Sequence, residues 1–205
     1  LVSFALAALA EEDTTTLIEE FNLLRAQDPR LRALALRRGK LMSASPWLEE
    51  ALDNPWPEVR LAALGRVAAP CEPATIATLA KEATGTEDAN AAVERASIRA
   101  LARCDSAGLG TLTDLMAQTG LPPWKRAEAA IQVLFVAPER AETIATMLRD
   151  SDDSVALALI EALRSIETPS DPLVASACHL SSERPPLQAA ARRTLKAWRA
   201  LSRCE

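Results

Sequence analysis

Tyrosine is absent from this chain of 205 residues, aromatics make up only 3% of it, and it holds a single histidine. One imidazole cannot supply a histidine-rich metal set, and no two cysteines stand in a C-x-x-C pair, so a tetrahedral zinc site has little to be built from. No segment alternates β-branched and polar residues, which excludes an appreciable sheet. No apolar run reaches the roughly 18–20 residues of a membrane span, so none is expected. The net charge of −5 and the pI near 5 argue against nucleic acid as a partner, because non-specific binding to it needs a basic face. Charge alone does not exclude a local basic groove.

What is present is alanine and leucine. Apolar residues make up 49% of the chain, and their bulk comes from these two good helix formers, whose small volumes suit closely packed helices. Asn54 to Ala68, NPWPEVRLAALGRVA, is the clearest element. A proline-rich turn opens a helix at Pro57, and Val59, Ala62, Ala63, Leu64 and Val67 fall on one helical face. Looser forms return at Gln27-Asp28-Pro29-Arg30-Leu31-Arg32 and at Asp150-Ser151-Asp152-Asp153-Ser154-Val155. Recurrence at about 30 residues marks a solenoid and not a closed enzyme core.

Further helices are predicted over Thr14–Ala26, from Pro29 to near Gly39, Pro46–Leu52, from Pro73 to Gly85, and Asn90–Arg103. Others follow over Leu109–Gln118, Pro123–Val136, Glu139–Leu148, Asp153–Ile166, Pro172–Leu180 and Pro186–Leu201. The first ten residues, LVSFALAALA, read as the inner helix of a preceding repeat, with the tail of a signal peptide as the other reading. A single domain over 1–205 is expected, with the array continuing upstream of Leu1.

Asn54-Pro55-Trp56-Pro57-Glu58-Val59-Arg60, followed by Ala62-Ala63-Leu64-Gly65, resembles the inner helix of a bacterial HEAT repeat, whose usual form is D-P-D-P-E-V-R and then A-A-x-x-L-G. Two departures matter. Trp56 replaces the usual Asp and so removes a side-chain N-cap. Arg60 is matched by Arg32 but by Ala156 in the later repeat, which breaks a continuous arginine ladder. The resemblance implies an all-α, right-handed α-α superhelix of about six antiparallel helix pairs. It also implies a non-catalytic module that binds another protein on its concave face. Two alternatives come from other classes: a HEAT-like enzyme or enzyme subunit, similar to alkylpurine DNA glycosylases or bilin lyases in architecture only, and a purely structural segment of a longer array. No cofactor is called for.

The residues singled out for partner binding are Arg32, Arg60, Trp56 and Trp124. The two tryptophans stand near the starts of inner helices, as rim anchors or as rings sealing the seam between repeats. Arg30, Arg32, Arg37, Arg38 and Lys40 form the one basic cluster, joined by Arg60 and Arg66, and its plainer reading is a solvated face.

Cys71 and Cys104 fall at the same end of one helical hairpin, where a disulfide would fit and would imply an oxidising compartment. The favoured expectation is nonetheless two partly buried thiols in a cytosolic protein. Cys178, mid-to-late in its helix, reads as pointing away from Cys204. His179 beside it cannot form a nucleophile–base couple, since adjacent helical residues point about 100° apart. The pairs Glu11/Glu12, Glu19/Glu20 and Glu49/Glu50 read as solvated surface. Gly108-Leu109-Gly110 lacks both the preceding strand and the following Lys-Ser/Thr of a phosphate loop. No catalytic or metal-binding residue is therefore assigned.

Overall fold

The computed structural model describes residues 28–38, 46–85 and 90–204. The helix predicted over Thr14–Ala26, the apolar first ten residues and the Glu11/Glu12 and Glu19/Glu20 pairs lie outside the described residues, as do Gly39 and Lys40. The regular structure among the described residues is all helix, without a strand. The chain packs as two compact units, one ending at Gly108 and the other beginning at Leu109.

The first unit holds α1 (Pro29–Arg38), α2 (Pro46–Leu52), α3 (Pro57–Leu64), α4 (Pro73–Thr84) and α5 (Ala91–Leu101). Proline opens four of these five helices, where its missing N–H costs nothing and its fixed φ is already helical. Asn90 opens the fifth, its side-chain oxygen accepting from the N–H groups of Ala92 and Val93. α3 is shorter than its apolar pattern predicts. Past Leu64 the bonds tighten to Ala63 O from Arg66 N and to Leu64 O from Val67 N, a single narrow turn ahead of Pro70. Val67 stays buried all the same. α3 packs on α1, α2 and α5, and α4 packs on α5. Leu36, Leu48, Leu64, Leu79, Ile98 and Leu101 are fully buried between them. Each such side chain contributes about 1.5–3 kcal/mol by leaving water.

The boundary in sequence falls within α6 (Asp105–Ala117). That helix begins four residues before the predicted start, so Gly108 and Gly110 are helical. The second unit continues with α7 (Pro123–Val136), α8 (Ala141–Asp150), α9 (Asp153–Leu163), α10 (Asp171–Glu183) and α11 (Gln188–Ala197). Three short 3₁₀ turns, Pro138–Arg140, Pro185–Leu187 and Leu201–Cys204, complete it. α7 packs on α9, α9 on α11, and α8 on α10, while α8 pairs with α9 and α10 with α11. Ile144, Leu148, Leu159, Ile160 and Leu163 are fully buried here.

All four cysteines are paired, which corrects the expectation of free thiols. Cys71 is joined to Cys104 across 33 residues and Cys178 to Cys204 across 26. The first bridge closes the end of the α4–α5 hairpin. The second reverses the view that Cys178 points away from its partner. α11 ends in a reversal at Arg199, whose φ is 55°. Arg199 N donates to Lys196 O and Ala200 N to Leu195 O, the paired bonds of a Schellman cap. That cap sends the last turn back to meet the middle of α10.

Candidate functional site

The NPWP turn is built around Asn54 and Arg60. Asn54 is buried and its Oδ1 accepts from Trp56 N at 3.0 Å, which fixes the entry to α3 without a side-chain cap at Trp56. One guanidinium nitrogen of Arg60 donates to Asn54 O at 2.8 Å and Pro55 O at 3.3 Å. Its Nε lies 3.6 Å from Glu82 of α4. Arg60 therefore binds its own turn and the neighbouring helix, and only 17% of its side chain remains exposed. Trp56 beside it is 50% exposed, a large ring left on the surface.

Arg32 occupies on α1 the position that Arg60 holds on α3, four residues into the helix, and is half-buried. Arg30 and Arg37 are exposed on the same helix. Trp124 lies in the second unit at the start of α7, half-buried, with Lys125 Nζ 5.6 Å above its ring centre. The structure thus brings Trp56 and Arg60 together on one turn, places Arg32 on the helix packed against it, and leaves Trp124 in a separate unit.

A groove of about 380 Å³ opens between α3 and α5. Leu61, Leu64 and Gly65 form one wall. The other is Ala92, Arg95, Ala96, Arg99 and Arg103, so three arginines recur every fourth residue along one face of α5 and the turn after it. Arg95 and Arg99 are exposed. Arg103 has a structural task, its Nε donating to Val67 O at 2.8 Å and an Nη to Leu64 O, which closes the carbonyl end of α3. Burial lowers the pKa of Arg103 from its ordinary value. The sequence reading missed Arg95 and Arg99. Their i, i+4 spacing was visible, but a search guided by the fourth position of each inner helix lands on Glu94 instead.

The second unit has a hollow of about 450 Å³ bounded by Leu134, Phe135, Ile166 and Leu173, with Ser165, Glu167 and Thr168 at its rim. Phe135 is 60% exposed there.

Among the described residues no group of three or more His, Cys, Asp or Glu side chains is placed to hold a metal. His179 Nδ1 lies 3.3 Å from Glu183 Oε1 one turn along α10, half-exposed, and its neighbour Cys178 is in a disulfide. Glu49 and Glu50 are exposed. No helix among the described residues is long and apolar enough to cross a membrane. No protein-family model matches this chain, and no curated protein matches it.

Proposed function

We propose that this chain is a non-catalytic HEAT-like α-solenoid segment that binds another protein along the row formed by α1, α3 and α5. The observation that carries the solenoid reading is a set of hydrogen bonds between neighbouring helices whose sequence separations, from 27 to 39 residues, lie around one repeat length. Arg103 reaches Val67 O across 36 residues, Arg184 reaches Arg149 O across 35, and Thr194 Oγ1 reaches Ile160 O across 34. Arg193–Glu161 and Arg203–Asp171 each span 32. Bonds that link each helix pair to its neighbour about one repeat away are what a solenoid reading expects. The binding reading is supported by Trp56, an exposed ring held by a rigid turn, and by the arginine-lined groove on the same helix.

The two disulfides favour an oxidising compartment over the cytosolic setting that free thiols would have implied. Arg60 acts in this reading as a positioning residue, because its guanidinium holds the turn that presents Trp56. Affinity capture with the purified, oxidised chain tests the proposal, comparing wild type with Trp56→Ala and with Arg32→Glu. A specific protein retained by the wild type and lost from the variants is the expected result. Equal capture by all three moves the binding surface off this row, and no capture by any of them overturns the reading.

A further inference from the structure

We propose that the groove between α3 and α5 takes an extended acidic peptide whose Asp or Glu residues alternate with other residues, with Arg95 and Arg99 reading the carboxylates. This rests on the protein-binding reading above and names the chemistry of its partner.

The spacing carries the argument. Arg95 and Arg99 are one four-residue step apart on α5, a rise of about 6 Å along the axis. Alternate side chains of an extended peptide project to the same side about 6.6 Å apart. A chain laid along α5 therefore presents every second side chain to successive arginines. Eleven residues of α5 give about 16 Å of length, room for about five extended residues.

Charge and shape agree with that register. Each guanidinium offers five donors in a planar fork, so a contact within the protein leaves donors for a carboxylate, which it grips in paired bonds. Arg103 is tied to Val67 O and Leu64 O and positions the end of the groove. On the facing wall Leu61, half-buried, receives the methylene stems of glutamate, which bury apolar surface while their heads meet the arginines. Gly65 leaves that wall low. A Cβ built on it meets only carbonyl oxygens of its own helix, the nearest at 3.5 Å, and its backbone lies in the ordinary helical region. A side chain at position 65 would stand in the groove without strain. A nucleic-acid backbone is the less favoured polyanion. The chain carries a net charge of −5, and the described residues lining this groove include no aromatic ring on which a base could stack.

The test uses fluorescence anisotropy on the oxidised full chain with a labelled alternating Glu-Ala octapeptide. Its Gln-Ala counterpart, a peptide of the same composition with contiguous glutamates, and a short oligothymidylate are the comparisons. The alternating acidic peptide is expected to bind at least about tenfold more tightly than the Gln-Ala peptide, and to lose about tenfold in the Arg95→Gln/Arg99→Gln variant. Gly65→Gln should weaken it comparably by filling the groove, with a melting temperature no lower than that of the wild type. Equal affinity for the Gln-Ala peptide overturns the proposal, as does undiminished binding by the double variant. Tighter binding of the oligothymidylate overturns it in favour of nucleic acid. If a protein is captured by wild type and double variant alike, this inference fails while the protein-binding reading stands. Capture of no protein by the wild type fails that reading instead.

Discussion

Arg149 donates to Ser176 Oγ at 2.7 Å, and the Ser176 hydroxyl, fully buried, donates in turn to Ala145 O at 3.2 Å. The two residues are 27 positions apart, on α8 and α10. The relay lets two helices of one layer approach around a polar group without stranding it. Ser176→Ala removes a bond from a charged donor, worth about 1.5–3 kcal/mol, and a second worth about 0.5–1.5, and should cost a net of about 1–2 kcal/mol once Arg149 turns to its other partners. Arg149 keeps Thr146 and Glu142 as partners, which limits the loss. Urea unfolding would show a lower midpoint at unchanged slope, and an unchanged midpoint would remove this bond from the account of stability.

The disulfides act on the unfolded chain. In the loop-entropy treatment, closing loops of 33 and 26 residues stabilises the fold by about 3–4 kcal/mol each. The paired variants Cys71→Ser/Cys104→Ser and Cys178→Ser/Cys204→Ser should each lose up to that amount. The native protein should show no reactive thiol until a reductant is added. Thiol titration of the folded and unfolded chain in the absence of reductant checks this directly.

Two glycines in one helix should respond to alanine with opposite signs. A Cβ on Gly108 would lie 2.0 Å from Leu101 O and 2.8 Å from Cys104 Cβ, so α6 would have to move off the end of α5. A Cβ on Gly110 meets nothing within 4 Å. Gly108→Ala should destabilise by about 1–3 kcal/mol through overpacking. Gly110→Ala should stabilise by about 0.5–1 kcal/mol through helix propensity. Thermal melts of the two variants side by side decide it, and shifts of the same sign would refute the packing argument.

Helix starts were legible in the sequence because their causes are local. Pro57, Pro73 and Pro123 at first positions and Asn90 as an N-cap each announce an element within a few residues. Helix ends were less so: α3 stops at Leu64 although Val67 keeps the apolar pattern, since the turn forced by Pro70 wins. The Cys178–Cys204 bridge was hidden for a longer-range reason. It depends on Arg199 adopting a left-handed conformation that no glycine marks in the sequence. At the candidate site, the place of Trp56 at a helix start leaves open an exposed rim anchor and a ring sealing the seam between repeats, because the choice depends on what packs beside it. The commitment of Arg60 to Asn54 O and Pro55 O could not be read either, because it depends on how the turn folds back on the helix.

Asp152 gives the fold an acid-sensitive point. Its Oδ1 accepts from the Ser154 hydroxyl, from Val155 N at 3.1 Å and from Ser154 N at 3.0 Å, capping α9. The Ser154 hydroxyl first, then the Val155 N–H, hold its carboxyl below the usual aspartate range, with Arg126 adding a smaller attraction. A carboxyl lowered by folding contributes stability that is fully present above the unfolded pKa of about 4, and is lost as the pH falls through the lower folded value. Asp152→Ala should therefore melt below the wild type at neutral pH, with the gap narrowing in acid below pH about 4. Asp152→Asn keeps an oxygen acceptor for the cap but no titratable charge, so its melting temperature should fall less than that of the alanine variant. Melting curves of the three proteins from neutral pH into acid provide the measurement. A gap between wild type and Asp152→Ala that stays constant throughout would mean that the cap acts without its charge.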